Sequence, residues 1–332
     1  MSKKSEDDFP ASVLELMPHI KDYNVGRVWL PYVMNTLPPG IRTNSLNTDG
    51  FGFRYTITGD GSRLSPETGA VGPVSLLTGA SLPFGWAATS DEKTVASHLS
   101  KIEKLPWYNL ALPGLTLPQN IIHLLFFLPQ IKEVKRIVLI SGTTDLNQFF
   151  SAPLYPKLYG GFYQFMEYFS TLNGEFYDAV KREIRIPGEY SKLFSENRDP
   201  MNSHSDFLAS LTNSIAILSF LAKSLDAELI FALQPVARWI ERELSPEERC
   251  LILSKPERSL FLAEKTADAY QTWYGSALEN ICGELNVKYL NLNKHFEAAK
   301  DAPAWLFADN FHLVDAGAEL VGKILKTECR II

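Results

Sequence analysis

The sequence predicts an α/β fold, a parallel β-sheet with helices on both faces. Five short apolar runs rich in β-branched residues stand out along the chain. None alternates polar with apolar as a sheet with one wet face would, so each reads as a strand covered on both sides. Helix-length patterns lie between them, and strands alternating with helices build a parallel sheet. With 332 residues, 45% hydrophobic and 21% charged, the chain has the apolar material for a sizeable core.

The expected strands are Val71–Thr78, Trp107–Leu112, Arg136–Ser141, Glu228–Leu233 and Val287–Leu292. The helix patterns are Thr94–Ile102, Leu117–Leu128, Phe207–Leu225 and Ala263–Leu285, and a last helix starts near Asp315 as its N-cap. Leu105–Ile131 carries no formal charge and is long enough to cross a bilayer. Pro106, Pro113, Pro118 and Pro129 would break such a helix, so the stretch reads as strand, turn and buried helix, with no membrane span. Residues 1–70, with Trp29, Pro31, Tyr32 and the turn-rich Asn44–Arg54, read as an irregular N-terminal extension packed on a main domain of residues 71–332. Residues 147–206 form an insert crowded with aromatics, Phe149, Phe150, Tyr155, Phe162 and Tyr163 among them, and are expected to fold onto the domain as a cap. Whether those rings line a ligand or pack the insert's own small core is left open.

Charge excludes one class of partner. Lys plus Arg is 32 against 38 for Asp plus Glu, a formal net charge of −6 with no basic run, which is unsuited to nucleic acid. Cys250, Cys282 and Cys329 have no CxxC spacing and are odd in number, so they read as buried thiols of a reducing compartment. The charged start Met1–Asp8 leads into no apolar segment, so no signal peptide is expected, and the protein is expected to be cytoplasmic. Composition and patterning say nothing of oligomeric state.

In such folds chemistry gathers beyond the carboxyl ends of the strands, and four motifs fall there. Gly79-Ala-Ser81 follows the first strong strand, where a serine hydroxyl can project beside free backbone N–H groups able to face an oxyanion. Asn109–Gly114 ends the second strand, and Ile140-Ser-Gly-Thr-Thr-Asp145 ends the third. Ser141 is a weaker nucleophile candidate, because it lies inside its strand end. Asp309-Asn-Phe-His312 precedes the last helix, and His312 is the one histidine of six with an aspartate three positions earlier. A carboxylate so placed can hold an imidazole's tautomer and stabilise its protonated form. Taken singly, each motif is as well explained by an ordinary turn. A serine, donor-rich turns from neighbouring strands and a late Asp/His pair together describe an acyl-transfer site.

In order and spacing these blocks resemble the SGNH/GDSL hydrolase superfamily over roughly residues 44–325. Gly79-Ala80-Ser81, continued by Phe84-Gly85, is similar to the first block, Gly114 to the second, Gly142–Asp145 to the third and Asp309/His312 to the fifth. Gly52-Phe53-Arg54, Leu233-Gln234-Pro235 and Ser245-Pro-Glu-Glu248 resemble a bacterial branch. The resemblance implies a three-layer α/β/α sandwich with a flavodoxin-like five-stranded parallel sheet. It further implies Ser81 as nucleophile, His312 as base, Asp309 as its orienter, and an oxyanion hole from Ser81, Gly114 and Thr144. Two departures stand out. Ala80 replaces an aspartate that is not the nucleophile, and Thr144 stands where the third block carries asparagine. Losing an oxyanion donor costs roughly a hundred- to thousand-fold in rate. Either Asn147 or Asn120 fills that place, or the enzyme is slow, specialised or inactive.

The expected function is therefore a serine esterase or O-acyltransferase acting through an acyl-enzyme on a small-molecule or carbohydrate ester. No metal or organic cofactor is implied, because the sequence lacks HExxH, Cys/His clusters, a P-loop and a Rossmann glycine pattern. The alternative is a non-catalytic carbohydrate- or acyl-binding protein that keeps the fold. An α/β-hydrolase fits less well, since Pro83 occupies the last glycine of its G-x-S-x-G elbow.

Overall fold

The computed structural model describes residues 9–28, 32–33, 36–103, 105–151, 204–255 and 257–330. After an antiparallel ribbon of β1 (Thr56–Ile57) and β2 (Arg63–Leu64), the main sheet is built from β3 (Val74–Gly79), β4 (Trp107–Asn109), β5 (Val134–Ser141), β6 (Glu228–Leu233) and β7 (Lys288–Asn291). All four of its pairings are parallel, and the order is β4-β3-β5-β6-β7. Counted within that sheet the order is 2-1-3-4-5, the flavodoxin-like doubly wound arrangement. Its switch point lies between β3 and β5, where chain leaving the two strands diverges to opposite faces. The Ser81 turn follows one and Gly142 follows the other.

Period-two alternation sends neighbouring strand residues to opposite faces, and here both faces are dry. Leu76, Ile137, Leu139, Phe231 and Leu233 pack under one helical layer. Leu77, Val138, Ile140, Ile230 and Ala232 pack under the other. The first layer holds α4 (Leu117–Phe127), α6 (His204–Ser224) and α9 (Gly275–Glu284); the second holds α3 (Val95–Ile102) and α10 (Asp315–Glu328). Thr94 caps α3 by accepting from the Ser97 N–H, and Thr116 with Gln119 forms a capping box on α4. Among the described residues α6 alone is long and apolar enough to cross a bilayer, and its Phe207, Leu211, Ile215 and Leu218 face is committed to the core.

Of the N-terminal segment, α1 (Ala11–Leu16) and the 3₁₀ turn Pro18–Tyr23 pack with Leu37 and Leu46 against Phe84, Ala87, Ala111, Leu112, Leu115 and Ala308. Those residues belong to loops at the carboxyl edge of the sheet, so this segment supports the loops of three of the four motifs, those of Ser81, Gly114 and Asp309/His312. Trp29 and Pro31 lie outside the described residues, and Tyr32 is exposed. Of the aromatic insert, 147–151 end α5 (Thr143–Ser151) and 204–206 begin α6, while 152–203, with Tyr155, Phe162 and Tyr163, lie outside the described residues. Phe149 stacks on Phe207 with ring centroids 4.6 Å apart.

Beyond shifts at strand ends, where β3 starts at Val74 instead of Val71 and β4 stops at Asn109 instead of Leu112, three expectations about the fold need correction. The single helix expected over Ala263–Leu285 is α8 (Glu257–Ala269) and α9 joined by a π-helical turn, Tyr270–Tyr274. The wide turn lets Tyr270 stack on Trp239 and lets the Tyr274 hydroxyl donate to the Gly142 carbonyl at 2.7 Å. Asp315 is not an N-cap but the first helical residue, and its carboxylate accepts instead from the Thr89 N–H and hydroxyl. Cys250 is exposed; Cys282 and Cys329 are buried, and burial pushes the Cys282 thiol up to about 12.

Candidate active site

The Ser81 turn is set by backbone constraints. Gly79 ends β3 with φ +138°, and a Cβ there would meet the Ile140 carbonyl oxygen at 2.1 Å and Pro83 Cγ at 2.7 Å. Only glycine lets β3 and β5 pair to their ends while the chain swings into α2 (Ser81–Phe84). Gly85 then takes the left-handed C-cap at φ +88°. The Asn109 side-chain amide donates to the Pro83 and Phe84 carbonyls at 3.2 and 3.3 Å. From beneath, the fully buried Arg54 donates to the Gly85 carbonyl at 2.6 Å and the Tyr23 hydroxyl at 2.9 Å, and pairs with Asp91 at 2.8 Å. A guanidinium can be buried because its partners answer both its charge and its N–H groups.

The base is held equally firmly. Phe307 and Leu313 pair as an antiparallel bridge, so residues 308–312 form a tight loop in which the Ala308 N–H donates to the His312 carbonyl. Neighbouring chain ties it further: the Asn310 carbonyl accepts from the Ala237 N–H, and the Phe311 carbonyl accepts from the Gln234 amide at 2.8 Å. Asp309 Oδ1 accepts from the N–H groups of Phe311 and His312, both at 2.9 Å. His312 Nδ1 lies 2.9 Å from Asp309 Oδ2, and Nε2 lies 2.7 Å from Ser81 Oγ. Burial pushes the Asp309 carboxyl up, but the His312 ring, the Lys255 ammonium 3.0 Å away and these N–H donors outweigh it, holding the group well below the usual carboxylate range. An ionised Asp309 can only accept, so the proton sits on Nδ1 and Nε2 is free to accept from the serine.

The acceptor side is furnished more sparsely. Gly114 is in the left-handed region at φ +83°, on a turn placed by Leu110 and Leu112 N–H bonds to the Leu77 and Gly79 carbonyls. Among the described residues neither the Ser81 nor the Gly114 N–H donates to another protein group. Thr144 is half-buried on the first turn of α5, and its hydroxyl has no partner among the described residues. Asn120 cannot stand in for the missing asparagine, because its amide donates to the Thr116 carbonyl at 2.8 Å and its oxygen accepts from Thr78. Asn147, one turn further along α5, has a buried side-chain oxygen without a partner among the described residues. Ser141 is 1% exposed, too deep to meet a substrate.

Several residues that shape the site carried no role in the sequence reading. Asp145 is fully buried and accepts from the Leu117 N–H at 3.0 Å, joining the Thr144 helix to the start of α4 just after Gly114. Burial pushes its carboxyl up to about 7, against those backbone N–H bonds. Asp91 and Lys255 gave no sequence signal. Glu248 figured only in the resemblance of Ser245-Pro-Glu-Glu248 to a bacterial branch; it closes a capping box with Ser245 and also accepts from the Leu306 and Phe307 N–H groups leading into the Asp309 loop.

No family model and no curated protein matches the chain. Solved structures do. A member of the lipolytic G-D-S-L family from Veillonella parvula is 14% identical, over 78% of this chain and 100% of that one, with a TM-score of 0.44. A lipase/acylhydrolase from Enterococcus faecalis is 13% identical, over 77% and 95%, with a TM-score of 0.40. An acetylxylan esterase from Geobacillus stearothermophilus is 14% identical, over 78% and 94%, with a TM-score of 0.41.

Proposed function

We propose that the chain is a serine-dependent acyl-ester hydrolase of the SGNH/GDSL type. The observation that carries this reading is one contact: Ser81 Oγ and His312 Nε2, 231 positions apart in sequence, lie 2.7 Å apart with Asp309 behind the imidazole. Nucleophile, base and orienter in that geometry support nucleophilic acyl transfer.

In the proposed reaction Ser81 Oγ attacks the ester carbonyl as His312 Nε2 takes its proton, and Asp309 stabilises the imidazolium. The uncommitted N–H groups of Ser81 and Gly114 receive the developing oxyanion, with the free Thr144 hydroxyl as a third donor. Collapse expels the alcohol, which takes the proton from His312 and leaves an acyl-Ser81 ester. Water, activated by the same imidazole, completes hydrolysis. A hydroxyl acceptor in its place would make the protein an O-acyltransferase. A half-buried Ser81 suits a small-molecule or carbohydrate ester able to present its carbonyl at the sheet edge.

The test is turnover of a short p-nitrophenyl ester, together with labelling by an active-serine fluorophosphonate. Ser81→Ala is expected to lose at least roughly 10³-fold in kcat/KM and all labelling. Turnover that survives that substitution takes Ser81 out of the mechanism. Ligand affinity without labelling of the wild type would favour the binding-protein reading, which the threonine at position 144 and the aromatic-rich sequence of residues 147–206 motivate.

A further inference from the structure

We propose that Lys255 is a positioning residue of this site, a fixed cation that shares the Asp309 carboxylate with His312 and so sets how strongly Asp309 favours the protonated imidazole. This rests on the reading of Ser81, His312 and Asp309 given above, and deepens it.

The two oxygens of Asp309 are fully used. Oδ1 takes the Phe311 and His312 N–H groups, and Oδ2 faces His312 Nδ1 at 2.9 Å and Lys255 Nζ at 3.0 Å. In a three-member relay the imidazolium alone answers the carboxylate charge. Here a permanent ammonium already answers part of it. Two cations on one carboxylate repel each other, so Lys255 disfavours the protonated state of His312. An imidazolium so placed returns its proton to the leaving group more readily. The price is weaker stabilisation of the imidazolium formed in the transition state.

Lys255 reaches this position through α7 (Pro246–Leu253). At the helix's N-terminal end Glu248, fully buried, accepts from the Leu306 and Phe307 N–H groups at 2.8 and 3.0 Å and pairs with Arg242. At its C-terminal end the Lys255 N–H closes a turn onto the Ile252 carbonyl at 3.2 Å. The helix therefore touches the Asp309 loop at both ends, and the lysine stem leaves from a fixed point. Other charges near the site have other partners. Asp315 binds Thr89, Arg54 and Asp91 pair beneath the Ser81 turn, Glu248 pairs with Arg242, and Arg27 donates to the Pro113 carbonyl beside Gly114. Among the described residues Lys255 and His312 are the cations in contact with Asp309.

The experiment compares wild type, Lys255→Met and Lys255→Arg in the pH dependence of kcat/KM for a short p-nitrophenyl ester, with thermal midpoints recorded alongside. Lys255 is 39% exposed, so solvent screens its charge, and the acid limb should move to higher pH by roughly half to one unit in Lys255→Met. Lys255→Arg should restore the wild-type limb. A merely structural tether would lower the thermal midpoint of Lys255→Met and leave the limb in place. An unmoved limb in folded Lys255→Met, or the same displacement in Lys255→Arg, overturns the proposal. Should Lys255→Met not fold, Lys255→Gln carries the test, since it keeps a polar tip without the charge. If wild type turns over no ester, the hydrolase reading fails by itself. The His312 ring signals followed by NMR then decide the Lys255 question: a titration midpoint higher in Lys255→Met than in wild type upholds it, and equal midpoints overturn it.

Discussion

The two sides of the site are built to different standards. On the base side, Asp309 and His312 sit on a loop tied by the Ala237 N–H, the Gln234 amide and Glu248, and both Asp309 oxygens are filled. On the oxyanion side, Gly114 and Thr144 sit on separate turns whose visible link is the buried Asp145 carboxyl against the Leu117 N–H. One side fixes charged groups that must stay in register over a proton's travel. The other keeps donors uncommitted, since a donor already bonded to protein cannot serve an oxyanion. Dense satisfaction marks a relay, and spare donors mark a receiving pocket. Substitutions on the two sides should therefore fail in different ways.

The largest effect is expected on the base side. Asp309→Asn keeps an oxygen that can accept the Phe311 and His312 N–H groups, so the loop should hold and the thermal midpoint should change little. An amide does not select the Nδ1–H tautomer or offset an imidazolium, so kcat for a short ester should fall by roughly 10⁴-fold. A loss of less than tenfold would break the comparison, because the dense side would then be scaffolding alone.

How much of this the sequence shows depends on how local each determinant is. Glu228–Leu233 is the strand at the expected bounds, since its apolar run begins and ends with the pairing. The first strand starts at Val74, not Val71: Gly72 is in the left-handed region and Pro73 has no N–H to give the ladder. The π-turn Tyr270–Tyr274 interrupts a helix whose apolar pattern continues on both sides, so periodicity gives no warning. Ser81, Gly114, Thr144 and the Asp309/His312 pair could be singled out because each belongs to a short motif. Arg54–Asp91, Asp145–Leu117 and Lys255–Asp309 bring together residues 28 to 54 positions apart, and in each pair one partner, Asp91, Leu117 or Lys255, lies in no motif. A pairing made only by the fold leaves no pattern in one chain.

An intermediate effect is expected where the two turns of the oxyanion side are joined. Burial raises the Asp145 carboxyl to about 7, so the folded protein prefers it neutral. Its contribution to stability is then fully present below the unfolded value near 4 and is lost as pH rises to about 7. Lifting a carboxyl that far corresponds to at most about 4 kcal/mol. Asp145→Asn keeps an acceptor for the Leu117 N–H and cannot ionise. The difference in unfolding free energy between variant and wild type should therefore move in the variant's favour between pH 4 and pH 7, then level off. Chemical denaturation across that range checks it, and a difference independent of pH would mean that Asp145 stays ionised in the fold.

The smallest effect sharpens the comparison most, because it asks how much the sparse side contributes. Thr144 offers a hydroxyl without a partner among the described residues, at the position where asparagine would offer a longer amide. Thr144→Val keeps the shape and removes the donor. If the hydroxyl reaches the oxyanion, kcat should fall roughly tenfold with KM unchanged, below the hundred-fold typical of a full donor because the threonine arm is short. Thr144→Asn should then raise kcat by a similar factor, by lengthening the same arm. Both changes must spare ground-state binding, since the bound ester carries no oxyanion and the charge appears only in the tetrahedral intermediate and the transition states flanking it. A Thr144→Val enzyme as fast as wild type would leave the negative charge to the Ser81 and Gly114 N–H groups.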